Sequence, residues 1–144
     1  MINTALSAKA GQIAQNIIFM NQNHKEFFIK YLPQCRYADV YHVALVYCLG
    51  ISNDTRKNVK SIYDFKTGCV KPKCLQEGWI TSGSARVIHM AFNLYCNGTP
   101  SVYDYEDVDE MLSEFRRYTV EDLFCCSYAK YFWQAIQLRY PEYC

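Results

Sequence analysis

Residues 81–98 read TSGSARVIHMAFNLYCNG and carry the clearest helix signal in the chain. Thr81 is of a type that caps helix N-termini, and Gly98 is of the type that follows helix C-termini. Between them, apolar residues recur three or four positions apart, at Val87, Ile88, Ala91, Phe92, Leu94 and Tyr95. This spacing predicts a long helix that buries one face.

The same two signals, apolar residues at helical spacing and a capping residue before them, extend in both directions from this helix. Residues 66–69, KTGC, interrupt the pattern and predict a turn. Before the turn we expect four further helices. They lie at residues 6–20, at a segment capped by Asn21 or Asn23 and ended by Pro33, at residues 40–49 between Asp39 and Gly50, and at residues 55–63 after Ser52 and Asn53. After the turn we expect a short helix from Pro72 to Gly78, one near residues 106–115 and a last region capped by Thr119.

The length and composition fit a single packed domain. The chain has 144 residues, of which 51% are hydrophobic and 20% charged, which is too apolar for a disordered chain. It contains no internal repeat and no run of 18 apolar residues that could cross a bilayer. We therefore predict an all-α fold, a compact single-domain bundle of six or seven helices over residues 1–144, in which residues 1–20 form an amphipathic helix that could be an accessory element.

The first 20 residues and the cysteines bear on the cellular compartment. Lys9, Gln12 and Gln15 interrupt the stretch in which a secretion signal needs a continuous apolar core. Without export, the eight cysteines are expected to stay reduced and to behave as small buried hydrophobic residues. The sequence therefore predicts a cytoplasmic protein.

The net charge of +1 excludes a strong overall attraction to nucleic acid or to anionic lipid. The charge is unevenly distributed, because residues 1–72 hold nine Lys or Arg and four Asp or Glu, whereas residues 73–144 hold six and ten. We expect neither membrane nor direct nucleic-acid binding. The one basic stretch that could contact phosphates is sparse, and it consists of Arg56, Lys57, Lys60, Lys66, Lys71 and Lys73.

A candidate anion-binding site lies at the start of the helix from Thr81. Free amide groups and the helix dipole favour an anion at a helix N-terminus, and an arginine can add a forked donor to a phosphate. A second interpretation is that the hydroxyls only cap the helix and that its polar stripe, Ser82, Arg86, His89, Asn93 and Asn97, faces water. The candidate anion-binding residues are Thr81, Ser82, Ser84, Arg86 and His89.

A candidate interface lies in the acidic segment that follows. Residues 104–114 contain six carboxylates and no basic residue. Such a run is either a solvated helix face or a surface that meets a basic partner, and aromatic residues beside it are of the type that anchors interfaces. The candidate interface residues are Tyr103, Asp104, Tyr105, Glu106, Asp107 and Asp109.

The spacing of the cysteines and histidines gives little support for a metal site or for a cysteine nucleophile. Cys69 and Cys74 have four residues between them, Cys125 and Cys126 are adjacent, and no CxxC pair occurs. A cysteine nucleophile would need one of the three histidines, His24, His42 or His89, and no local signature marks such a pair. We expect no metal site, no cofactor and no catalytic residue.

Several short motifs resemble those of an uncharacterised family of small proteins from Gram-positive anaerobic bacteria and their phages or mobile elements. The resemblance extends from about Met20 to the end of the chain. Its motifs are NHK at 23–25, LVYCLG at 45–50, DTR at 54–56, IYDF at 62–65, GW at 78–79, TSGS at 81–84 with Arg86, AFNL at 91–94, LFCCSYA at 123–129 and RYPEY at 139–143. It implies no fold and no activity, but it favours a phage or mobile-element setting.

The function favoured by these observations is that of a non-enzymatic binding protein. We expect an unidentified protein partner with a basic surface, such as a component of a host defence or nucleic-acid-processing complex. The alternative is a small enzyme or sensor that binds a phosphate-bearing metabolite at Thr81–Arg86, with His89 as an acid or base. A homodimer formed through exposed aromatic residues also stays open.

Overall fold

Nine α-helices, three 3-10 helices and one two-stranded hairpin make up the part of the chain that the computed structural model describes, residues 4–104 and 106–144. The predicted all-α class is confirmed. The 3-10 helices are Leu32–Gln34, Pro72–Gln76 and Arg116–Tyr118. The α-helices are α1 (Thr4–Ala14), α2 (Gln22–Tyr31), α3 (Val40–Leu49), α4 (Asn53–Lys57), α5 (Val59–Ile62), α6 (Ser82–Cys96), α7 (Val108–Phe115), α8 (Val120–Phe124) and α9 (Ala129–Arg139).

The described helices outnumber the six or seven expected because some predicted helices are divided. The segment expected at 55–63 breaks at Asn58 into α4 and α5, where the Asn58 side chain donates to the Asp54 carbonyl at 2.8 Å. The last helical region likewise divides into α8 and α9. The segment from Pro72 is a 3-10 helix, and Tyr63 leaves the helix to enter a strand.

Helix α3 forms the centre of the fold, packed against α6 and α9. Its sequence is apolar nearly all round, and eight of its ten residues are buried. Asp39 begins the helix as predicted, because its carboxylate accepts a hydrogen bond from the His42 amide at 3.0 Å. The apolar sequence of α3 therefore reflects a helix surrounded by other helices.

The end of α3 packs tightly against α2. A Cβ atom at Gly50 would lie 2.7 Å from His24 Cδ2 and 2.8 Å from Phe27 Cδ1, so only glycine fits there. His24 is fully buried, with Nδ1 accepting from the Met20 amide at 3.1 Å and Nε2 donating to the Tyr47 carbonyl at 2.7 Å. The acceptor role of Nδ1 requires the neutral ring, and burial lowers the pKa of His24 to about 4.

Helix α1 ends at Ala14, before the limit of Met20 that the periodicity predicts. The residues that follow bond to other helices instead of continuing the helical ladder. The Ile18 amide donates to Gln134 Oε1 on α9 at 3.0 Å, and the Ile18 carbonyl accepts from the Tyr47 hydroxyl on α3 at 2.5 Å. Tertiary hydrogen bonds therefore hold this segment in a non-helical path.

The predicted turn at residues 66–69 connects two short antiparallel strands, β1 (Tyr63–Asp64) and β2 (Cys69–Val70). Gly68 has a φ of +76°, which glycine adopts without strain. The Asp64 carboxylate accepts from the amides of Lys66 and Thr67 within the turn. The strands themselves are too short for a period-two pattern to predict.

Helix α6 begins as predicted but ends one residue before the expected cap. Asn97, not Gly98, takes the left-handed conformation, with a φ of 54°. Its side-chain Oδ1 accepts from Arg139 Nη2 at 2.9 Å, and asparagine tolerates this backbone region better than most residues. Arg139 is buried, donates through Nε to the Leu94 carbonyl at 3.0 Å and stacks on the Tyr41 ring at 3.8 Å.

Replacing Arg139 by Met is expected to lower the free energy of unfolding by about 2 kcal/mol, because the Leu94 carbonyl oxygen and the Asn97 side-chain oxygen lose their charged donor. Urea titration would measure the change. Arg116, an exposed arginine, offers a matched control in Arg116→Met, for which we expect little change. Equal stability of both variants and the parent would show that the Arg139 contacts contribute nothing.

Candidate functional site

The hydroxyl groups of the candidate anion site are bonded to their own helix. Thr81 Oγ1 accepts from the Ser84 amide at 3.1 Å, and Ser84 Oγ accepts from the Thr81 amide at 2.8 Å. This reciprocal pair is a capping box, which satisfies the donors at the start of α6. Thr81 and Ser82 are exposed, whereas Ser84 is buried.

The other two candidate anion-binding residues contact different elements. Arg86 donates through Nε to the Asp122 carbonyl on α8 at 3.0 Å. His89 is buried, with its ring packed edge-to-face on Tyr118 at 4.7 Å between centroids. The structure therefore brings Thr81 and Ser84 together and directs Arg86 and His89 to the segment that follows α7.

The polar stripe of α6 is only partly covered by protein, because Ser82 and Asn97 are exposed, Arg86 and Asn93 are half-buried and His89 is buried. The 3-10 helix at Arg116–Tyr118 and helix α8 pack against α6. Asn93 donates to the Gly98 carbonyl at 3.0 Å and so supports the end of the helix. The residues of the stripe therefore cap the helix or pack against its neighbours, and one of them, His89, lines a cleft.

The acidic segment forms an exposed face on and before α7. Asp104, Glu106, Asp107 and Asp109 are exposed, and the Asp104 carboxylate accepts from the Glu106 amide at 3.0 Å. Tyr103 is half-buried, and Tyr105 lies outside the described residues. Two apolar side chains on one face of α7 are also exposed, Val108 at 48% and Leu112 at 50%. We call these six residues the acidic surface.

Unlike the other five carboxylates of the acidic run, Glu114 is not exposed. Glu114 is buried, and its Oε2 accepts from the Ser101 hydroxyl and from the Val102 amide. A few residues away, the Tyr118 hydroxyl donates to the Pro100 carbonyl at 2.7 Å. These bonds fix α7 and the preceding loop to the rest of the protein, which the charge pattern alone did not predict.

A cleft of about 240 Å³ opens beside the acidic surface. It joins residues from the 3-10 helix at Pro72–Gln76, from α6, from the loop before α7 and from α7 itself. Its lining residues are Leu75, Gln76, Ala85, His89, Val102, Tyr103, Glu110, Ser113, Glu114 and Arg117.

His89 is the buried histidine of this cleft. Burial is the main reason that its pKa is lowered to about 4. The charge of Asp122 partly opposes this lowering and the charge of Arg117 adds to it, so the ring is neutral at neutral pH. Within the described residues no group hydrogen-bonds to the imidazole, and no fully enclosed side-chain nitrogen or oxygen lacks a partner. The ring nitrogens therefore retain access to the cleft. Sequence reasoning identified His89 but did not associate it with the acidic segment, because no spacing connects the two.

The cysteines are thiols in the structure, and several are deeply buried. Burial raises the pKa of Cys35 and of Cys74 to about 12, which keeps both protonated and poorly nucleophilic at neutral pH. Within residues 4–104 and 106–144 no three His, Cys, Asp or Glu side chains are placed to hold a metal ion. In the same residues no helix is long and apolar enough to span a bilayer.

Two basic groups of the Arg56–Lys73 stretch have local roles. Arg56 Nη1 donates to the Gly50 carbonyl at 2.8 Å, and Lys71 Nζ donates to the Lys60 carbonyl at 2.8 Å. Lys57, Lys66 and Lys73 are exposed. The stretch therefore stabilises the end of α3 and the hairpin as well as contributing surface charge.

The fold and the cleft define a small helical protein with an acidic face beside a half-open polar cleft. Residues 14–144 match DUF6075, a family of unknown function, and the chain belongs to that family. No curated protein and no solved structure gives a match to the chain.

Proposed function

We propose that the protein is a non-enzymatic binding protein and that its acidic surface binds a basic segment of a protein partner that also carries apolar side chains. The observation that carries this proposal is the exposure of Val108 and Leu112 on one face of α7, with Asp104, Glu106 and Asp109 beside them. A solvated helix face needs the carboxylates but not the two apolar side chains.

The two kinds of side chain have separate roles in such binding. Burial of a valine or leucine side chain contributes about 1.5–3 kcal/mol, which provides affinity. The carboxylates speed the encounter with a basic partner and disfavour acidic ones. Helix α7 therefore combines an apolar contact with a charge that selects its partner.

The setting of this interaction is part of the proposal. The motif resemblance supports a bacterial phage or mobile element, and the eight thiols support the cytoplasm. A complex for host defence or nucleic-acid processing would supply a basic partner, because proteins that bind nucleic acid carry basic surfaces.

Neutralising the acidic surface is expected to weaken the partner complex about tenfold at low salt and to reduce its salt dependence. The variant is Asp104→Asn, Glu106→Gln and Asp109→Asn, which keeps Asp107 at the start of α7. Proteins captured from a host-type lysate by the immobilised parent would be identified by mass spectrometry, and their affinities would then be measured for parent and variant.

A matched control removes three exposed carboxylates elsewhere, through Glu26→Gln, Glu121→Gln and Glu142→Gln. It changes the net charge equally and is expected to leave the affinity unchanged. A second variant, Leu112→Asn, tests the apolar contact without altering charge. A partner that binds the acidic-surface variant, Leu112→Asn and the control as tightly as the parent would contradict the proposal.

A further inference from the structure

We infer that the cleft beside the acidic surface receives the guanidinium group of an arginine side chain from the basic partner. This inference rests on the proposed function and adds to it the side chain that the partner must present. Glu110 connects the two sites, because it lies on α7 one residue beyond Asp109 and lines the cleft.

The first support is the imidazole of His89, whose ring nitrogens open to the cleft. The residue is only 6% exposed, and within the described residues no group bonds to its ring. Because no fully enclosed side-chain nitrogen of the described residues lacks a partner, the ring nitrogens are open to the cleft, where a ligand can bond to them directly. The neutral ring offers one nitrogen as an acceptor, which suits a ligand that brings donors.

The second support is the pair of carboxylates on the α7 side of the cleft. Glu110 is exposed at the rim. Glu114 is held with Oε2 bonded to Ser101 and Val102, while Oε1 accepts from no described residue. Because no fully enclosed side-chain oxygen of the described residues lacks a partner, Oε1 also retains access to the cleft. The cleft therefore presents acceptors on both the α6 and the α7 walls.

Arg117, the cationic residue among the described residues of the lining, does not cancel these acceptors. The Arg117 side chain is 61% exposed, and its Nη1 lies 3.8 Å from Asp122 Oδ1. It is therefore partly neutralised from outside the cleft. Two carboxylates against one arginine leave the lining negative, which favours a cation.

The size and donor count favour arginine over a metabolite or a lysine. A volume of about 240 Å³ is below the range of roughly 300–1,000 Å³ usual for sites that enclose whole small molecules. Guanidinium has five donors in a planar fork, which can serve acceptors on two walls at once, whereas an ammonium is a more strongly hydrated point charge. Leu75 and Val102 provide apolar contacts for the methylene stem.

The test uses three synthetic amphipathic peptides that carry two leucines four residues apart, flanking lysines and one central position. That position is arginine, lysine or citrulline, the last being a neutral analogue of the same shape. Fluorescence anisotropy would give the dissociation constants. We expect the arginine peptide to bind the parent protein roughly 10- to 100-fold more tightly than the other two.

Two protein variants assign this preference to the cleft. Glu110→Gln removes an exposed carboxylate, is expected to fold normally and should reduce the preference for arginine about tenfold. His89→Leu removes the acceptor from the other wall without adding charge, and circular dichroism would verify its fold. The control is the acidic-surface variant, which should weaken all three peptides by a similar factor and preserve the preference.

The outcomes separate this inference from the proposed function. Equal binding of the three peptides by the parent, still weakened by the acidic-surface variant, would overturn the arginine site and leave the proposed function intact. If Glu110→Gln binds the arginine peptide with the same preference as the parent protein, the arginine site is also overturned. If the parent protein binds the three peptides no more tightly than it binds an acidic peptide, both the arginine site and the proposed function are overturned.

Discussion

Acidification from pH 7 to pH 4 is expected to lower the free energy of unfolding by about 6 kcal/mol, of which His24 and His89 each contribute about 3 kcal/mol. Both histidines have an ordinary pKa of 6.5 that the fold lowers to about 4. Small domains have total stabilities of about 5–15 kcal/mol, so the protein should be close to unfolding at pH 4. Urea titration at a series of pH values would measure the loss.

The sign follows from the direction of the two shifts. Because the folded pKa lies below the unfolded pKa, the unfolded chain binds protons more readily between pH 6.5 and 4. The stability is fully present above pH 6.5 and is lost as the pH falls towards 4. Below that value Asp39 adds a further loss: burial alone would raise the pKa of its carboxyl, but the hydrogen bonds from His42 hold that pKa below its ordinary value, and protonation removes them.

The contribution of one histidine can be isolated with His89→Gln. Around pH 5, the parent should take up about two protons on unfolding, which corresponds to a slope near 2.7 kcal/mol per pH unit. The variant retains only His24 and should show about half that slope. A parent whose stability is constant between pH 6.5 and 4 would show that neither ring is kept neutral by the fold.

The substitution Gly50→Ala is expected to lower the free energy of unfolding by about 3 kcal/mol. The added methyl group would overlap the rings of His24 and Phe27, both of which are buried. Neither ring can move far, because His24 is bonded through both nitrogens to the Met20 and Tyr47 backbones. Thermal and urea unfolding of the purified variant would measure the change.

Gly78→Ala provides the matched control. A Cβ atom there has no neighbour within 4 Å, and the residue does not adopt a positive φ. The same chemical change should therefore alter stability by less than about 1 kcal/mol, in either direction. Similar losses in both variants would mean that the cost at Gly50 arises from the backbone and not from the contact with α2.

The helices could be predicted from sequence where their signals are local. Asn21, Asp39, Thr81 and Thr119 each accept a backbone amide at a helix start, as their residue types indicate. A capping bond forms within three residues and depends little on the rest of the fold. The apolar pattern of α3 was equally informative, because no exposed position interrupts its buried run from residue 42 to residue 49.

The features that were missed depend on contacts between distant segments. The early end of α1 reflects a hydrogen bond to Gln134 on α9 that no periodicity reveals. The break at Asn58 is a local exception, because the Asn58 side chain donates to the Asp54 carbonyl four residues earlier. The cleft assembles Leu75, His89 and Glu110 from three elements, and their separation in sequence gives no indication of proximity. The burial of Glu114 was missed for the same reason, since its partner Ser101 lies thirteen residues earlier.

The bond between the Tyr118 hydroxyl and the Pro100 carbonyl brings together the two ends of the segment that carries the acidic surface. Its two chain ends are therefore fixed by the helical body, while its exposed side chains contribute little to the core. Substitutions of its exposed side chains Asp104, Glu106, Asp107 and Asp109 should therefore cost little stability. The architecture thus separates a packed helical scaffold from an exposed segment whose surface side chains can be changed without disturbing that scaffold.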